Sequence, residues 1–195
     1  MLVAAALAAI LSCTSQTRDA PIVSSSTPSS VPIRKLSFRI NITRLGKLIH
    51  DRVNRERQKH GLPTFRWDDA LGRIAGAHSK DMATRNYFSH TSPEGYGYSY
   101  RYMKNNYACG ITVNGVTRTG AENIFQYSLN SLASDTGGER KNERDAWEDI
   151  AASTIQGWMD NSDDRKNILS PHWQREAIGI FIGPDNTMYI TDNFC

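Results

Sequence analysis

A chain of 195 residues has room for one domain and short extensions. With 39% hydrophobic residues and a mean hydropathy of −0.51 it reads as a soluble globular protein. The net charge of +3 is mildly basic, and Lys and Arg are interleaved with acids, as in "DRVNRERQKH" (51–60), rather than gathered into a block; nucleic acid is therefore not the expected partner.

The first segment, residues 1–13 ("MLVAAALAAILSC"), is apolar and ends on Cys13. It is too short for a bilayer-spanning helix, which needs about 20 apolar residues, and suits the apolar region of a secretory signal that lacks its positive start. Ile10-Leu11-Ser12-Cys13 also resembles a bacterial lipobox, with Leu11 bulky for its place. The two readings are a secretory signal and a lipoprotein-type segment lipidated at Cys13, and membrane contact is expected only through such an N-terminal anchor. Residues 14–35 are rich in Ser, Thr and Pro without apolar periodicity, a linker composition. The folded domain is expected over 36–195. Asn41-Ile42-Thr43 fits a glycosylation sequon.

Leu45, Leu48, Ile49, Arg52 and Val53 follow helical spacing, and Gly61 with Pro63 ends that helix. Asp68 or Asp69 caps a second helix in which Leu71, Ile74, Ala75, His78 and Met82 share a face. Asn114-Gly115 between β-rich runs predicts a hairpin. A polar loop spans 128–144, and Trp147, Ile150, Ala151, Thr154, Ile155 and Trp158 mark a third helix. Strands are predicted at 177–183 and 187–194, around a Gly-Pro-Asp-Asn turn. Helices in blocks with strands mostly late predict an α+β class.

Cys109 and Cys195 form a candidate disulfide in an exported domain. Closing a loop of roughly 85 residues would contribute about 4 kcal/mol in the chain-entropy model. Among the five histidines, His60 falls at a helix end and His50 has no acidic cluster near it in sequence. His78, on an apolar helical face, is expected to be a core residue bonded to backbone. His172 sits in a turn beside Trp173, either on the surface or facing the same cleft as the helix before it. His90 stands among turn formers in "YFSHTSPEG" (87–95), and turn residues are held by a scaffold for use. Tyr87 and Phe88 are expected to anchor that turn in the core. In "GAENIF" (120–125) Glu122 lies ahead of an apolar pair, where a partly desolvated carboxylate wants a cation or donor, and His90 is the candidate.

"YFSHTSPEG", "GAENIF" and "WMDNSDDRKNIL" (158–169), closed by "AIGIFIG" and "YITDNFC", resemble in this order the CAP superfamily of cysteine-rich secretory proteins, antigen 5 and pathogenesis-related 1 proteins, and its prokaryotic SCP-like branch most of all. "VNRERQKHGLPTFRWDDALGRIAGAHSKDMA" fits the family's first two helices, so the likeness runs from Leu45 to Cys195. The resemblance implies an α-β-α sandwich around a three-stranded antiparallel sheet. It also implies a cleft with a His/Glu tetrad that in several members binds zinc or another divalent cation. His90 matches the first histidine and Glu122 the glutamate; Asn161 stands at the second glutamate and Asp164 at the second histidine.

One imidazole with two carboxylates is a harder donor set than the tetrad. His90, Glu122 and Asp164 would hold Zn²⁺ or Mn²⁺, or the cleft is metal-free with Asp164 paired to His90, or His172 folds back as a substitute. Three functions follow: an extracellular, secreted or surface-attached binding module for a lipid, glycan or protein; a metal-dependent, peptidase-like hydrolase using His90 and Glu122; or a structural domain with no cleft ligand. The sequence carries no nucleophile motif and no HExxH, so the expectation leans away from an enzyme.

Overall fold

The computed structural model describes residues 40–134 and 142–195; the segments 1–13, with Cys13, and 14–35 lie outside the described residues. Helix α1 (Ile42–Lys59) starts at Asn41, whose side chain accepts from the Arg44 N–H at 3.0 Å, so the sequon asparagine is a helix cap. Strand β1 (Arg66–Trp67) leads directly into α2 (Asp69–Arg85), capped by Asp68, which accepts from Ala70 and Leu71 N–H. Helix α3 (Tyr98–Lys104) follows the His90 turn, then the hairpin β2 (Ile111–Val113) and β3 (Val116–Arg118) around Asn114 and Gly115, both at positive φ. The chain continues through β4 (Ala121–Ser128), α4 (Ser131–Ser134), α5 (Glu143–Asp160), α6 (Ser162–Ile168), β5 (Arg175–Ile182) and β6 (Thr187–Phe194).

The main sheet has the order β1-β5-β6-β4. Its three long strands are antiparallel, with β6 central, as the fold class predicts; β1 adds a two-residue parallel edge, Arg66 facing Arg175. Alternation along the strands makes both faces apolar. Ala177 and Tyr189 pack under α2, while Ile178, Ile180, Met188, Ile190 and Phe194 pack with α1 and α5. The result is the α-β-α sandwich, an α+β domain. The apolar positions predicted on the three long helices are buried, except Leu48, which is partly buried against the core, and Trp158, fully enclosed, donates Nε1–H to the Ile124 carbonyl at 3.1 Å. Each such side chain contributes about 1.5–3 kcal/mol.

Helix α2 approaches β5 where neither side has bulk. A Cβ built on Gly179 would fall 1.9 Å from Gly76 N and 2.3 Å from Ala75 C, so only glycine allows this contact. Ser79 fastens it, donating Oγ–H to the Gly179 carbonyl at 2.9 Å and meeting Thr191 Oγ1 at 2.8 Å.

On the opposite sheet face two carboxyls, Glu176 and Asp192, are fully buried. His50 of α1 pairs through Nδ1 with Glu176 and accepts at Nε2 from Asn54 at 3.1 Å. Burial, with the adjacent Glu176, raises Asp192 well above the usual carboxylate range and so favours its protonated form beside Glu176. Cys109 and Cys195 form the expected disulfide, with Cα atoms 5.6 Å apart across a sequence separation of 86.

Candidate functional site

Three elements deliver the site. Helix α2 ends in Asn86, left-handed at φ 53°, and the chain turns out through Ser89 and His90. The turn is held from inside by His78, which donates Nε2–H to the Ser89 carbonyl at 3.1 Å, and from outside by the Arg85–Glu94 ion pair. Ser89 Oγ accepts from Thr91 N–H and Ser92 Oγ from Tyr96 N–H, so both serines shape the turn. Tyr87 is half-buried and donates to Asp81 at 2.5 Å, but Phe88 is 44% exposed. Only Tyr87 is an anchor, because Phe88 falls on the outer side of the turn.

Strand β4 brings Glu122. Gly120 precedes it at φ 98°, and a Cβ there would lie 2.6 Å from both the Phe194 carbonyl and the Tyr102 ring. Glycine therefore lets the strand enter beneath Tyr102, whose hydroxyl reaches the Ala121 and Phe194 carbonyls at 3.2 Å. The Glu122 carboxylate is wholly buried. Its Oε1 accepts from His90 Nδ1–H at 3.0 Å and its Oε2 from Arg101 Nη2 at 2.6 Å. With its amide turned to donate, Asn193 adds a bond to Oε2 at 3.2 Å. Arg101, on α3, also donates to the His90 carbonyl at 3.0 Å, binding the turn to the strand.

The predicted pair His90–Glu122 is thus assembled, with the imidazole half-exposed. The Glu122 hydrogen bond raises the His90 pKa above its ordinary value against the pull of burial. His78, buried at 3.7 Å from Glu122 Oε1, is lowered chiefly by burial, as expected of a neutral core histidine, though its nearness to Glu122 is not apparent in the sequence. Asp164, on α6, is pushed up to about 6, first by desolvation and against the attraction of His90. Asn161 does not face the cleft: its side chain caps α6, accepting from Asp163 and Asp164 N–H at 2.9 and 3.1 Å. Helix α6 is fixed to β4 by Asn123, which donates to the Asp164 carbonyl at 3.1 Å, and by Asn167, which donates to Asn123 Oδ1 at 2.8 Å.

These residues do not fit a resident divalent cation. Both Glu122 oxygens already accept hydrogen bonds, and the Arg101 guanidinium supplies the positive charge a metal would bring. Among the described residues no group of three His, Cys, Asp or Glu side chains is arranged to hold a metal ion. His172 is not a substitute ligand; it lines a neighbouring pocket with Arg165 and Lys166.

Around His90 the surface opens into a cleft of about 510 Å³. Its walls include Tyr98, Thr117, Thr119, Asp163, Asp164 and Asn167, a largely polar lining. Sequence reasoning missed Arg101, Asn167, Thr117 and Thr119. Asn167 sits within the quoted "KNIL" motif, and Arg101 had a usable signal in Tyr98 and Tyr102, spaced i, i+4 around it.

Comparison with known proteins gives one family. A model described as CAP, cysteine-rich secretory protein family, matches residues 50–193. The chain is 32% identical over 133 residues to the uncharacterised protein YkwD of Bacillus subtilis, covering 68% of this chain and 41% of that one. It is 26% identical to the uncharacterised membrane protein YlbC of the same organism, covering 76% and 33%. The chain therefore spans well under half the length of these relatives. Among solved structures, an extracellular SCP-domain protein of Bacillus anthracis matches at TM-score 0.55 and 27% identity, over 78% of this chain and 40% of that one. An outer surface protein of Borrelia burgdorferi matches at 0.57 and 13%, over 80% and 96%, a likeness of fold alone.

Proposed function

We propose, from the premise that this chain belongs to the CAP family of cysteine-rich secretory proteins, that it is an extracellular binding module whose cleft takes a hydroxyl-rich, glycan-like ligand. The observation that carries this reading is the cleft lining. Thr119, Asp164, the Asn167 side-chain oxygen and the outer nitrogen of His90 supply donors and acceptors that suit several hydroxyls at once, beside a Thr117 hydroxyl that meets Thr112. A sterol or acyl chain would leave those groups desolvated and unpaired, at about 1–3 kcal/mol each. The extracellular setting is supported by the disulfide, which persists in oxidising compartments, and by the Bacillus anthracis relative described as extracellular.

His90 acts here as an oriented hydrogen-bonding group. Glu122 fixes the tautomer with the proton on Nδ1, leaving Nε2 to accept from a ligand hydroxyl when the ring is neutral and to donate when it is charged. The test is calorimetric titration of soluble cell-wall glycan fragments, fatty acids and sterols against wild type, His90→Ala and Asn167→Ala. Glycan binding weakened at least tenfold in both variants is the expected result. Binding of a sterol or fatty acid that neither substitution alters would overturn the reading.

A further inference from the structure

Beside the cleft lies a second pocket of about 390 Å³, and Arg118 at the end of β3 lines both. Ser162, Arg165, Lys166, Ser170 and His172 complete its polar wall. Three fixed positive charges and an imidazole face this space, and among the described residues no carboxylate lines it. The cations differ in how far they are already engaged. Lys166 pairs with Asp163 at 2.8 Å, and Arg165 gives Nη1 to the Met159 carbonyl at 2.6 Å. Arg118 is exposed and makes no hydrogen bond or ion pair with a described residue. A protein surface ordinarily interleaves its charges, as this chain does elsewhere, so a guanidinium without an acidic partner among the described residues, set over a basic pocket, is available to an anion.

We propose that this pocket is an anion subsite, which receives a phosphate ester group on the ligand whose hydroxyl-bearing part occupies the cleft. The second half of that statement rests on the glycan reading above; the subsite itself does not. The Arg118 guanidinium presents a planar fork that matches a tetrahedral oxyanion bidentately, and the remaining Arg165 nitrogens, Lys166 and the Ser162 and Ser170 hydroxyls can serve the other oxygens. The charge pattern also sets an orientation. Asp163 and Asp164 lie on the cleft side of Arg118 and repel an anion, so the phosphate is directed toward His172 and the hydroxyls toward His90. A membrane surface is the poorer fit, because the pocket is concave and only Leu169 and Pro171 are apolar in its lining.

Amide NMR of the full chain tests this with inorganic phosphate, glycerol 3-phosphate and glycerol as separate probes. Both phosphates should shift Arg118, Lys166 and His172, and glycerol should not. Arg118→Gln combined with Lys166→Gln should weaken phosphate binding at least tenfold, whereas Arg55→Gln combined with Lys59→Gln, an equal loss of charge at exposed positions of α1, should leave it unchanged. The subsite is refuted if the double variant binds phosphate like wild type, or if phosphatidylglycerol vesicles bind while the soluble phosphates do not. Loss of the phosphate response with glycan binding intact removes the subsite alone. A phosphate response confined to the basic pocket, with no glycan binding in the cleft, keeps the subsite and removes the glycan reading.

Discussion

The His90 ring lies between two carboxylates that act on it differently. Glu122 holds it by a hydrogen bond, while Asp164 acts across the cleft as a charge that appears only as its own proton leaves near pH 6. The His90 pair contributes stability fully below the unfolded value near 6.5 and loses it as pH rises through the higher folded value. Asp164 has the same sign for a different reason: its raised carboxyl favours the fold at acid pH and gives this up as pH climbs from about 4 to about 6. In a carbon-detected NMR titration Asp164 should therefore show a midpoint near 6. His90 should titrate above 6.5, fall back by the larger amount in Glu122→Gln and by the smaller in Asp164→Asn. A His90 midpoint indifferent to Glu122→Gln would contradict the pairing. His90 and Glu122 were legible in the sequence because each sits in a short motif with turn or glycine neighbours. Arg101 was not, since its partner Glu122 lies 21 residues on and across two loops, and His50 lacked any local sign of Glu176, 126 residues away.

Elements with a long apolar period were legible: α1, α2, α5, β5 and β6 all lie where spacing predicts, and Asn114-Gly115 makes its hairpin. Helices α3 and α6 have seven residues each and bury one side chain apiece, Tyr102 and Ile168, so no period could emerge. Strand β4 was hidden because it begins with buried polar residues, Glu122 and Asn123, which read as a site rather than a strand. The contact between α2 and β5 invites an asymmetric test. Gly179→Ala must push the helix off the strand and should cost about 3 kcal/mol, seen as a lower denaturant midpoint at constant slope. Gly76→Ala faces the same contact from the helix side, but its Cβ would meet only Gly179 Cα at 3.9 Å. It should be neutral or add about 0.5–1 kcal/mol, since alanine is the better helix former. Equal losses from both substitutions would contradict this packing.

Across the whole domain, the disulfide ties the loop after α3 to the end of the central strand β6, reinforcing the sheet edge from which Glu122 is presented. The buried pair Glu176–Asp192 works in the opposite sense as the medium turns alkaline. A carboxyl raised by burial supports the fold at low pH and loses that contribution as pH rises above the ordinary carboxylate range toward its own value. Asp192→Asn keeps a donor toward Glu176 without the proton, so it should raise the melting temperature at pH 7–8 and leave it unchanged near pH 3. About 2–4 °C is expected for each kcal/mol of penalty removed. A lower melting temperature at pH 8 would show that the acid is not the strained partner. Asp192 also makes hydrogen ion a reactant in folding. Above the ordinary carboxylate range this side chain favours taking a proton up from solution as the core closes, so its share of the domain's stability obeys mass action in protons as a holoprotein's does in its ligand.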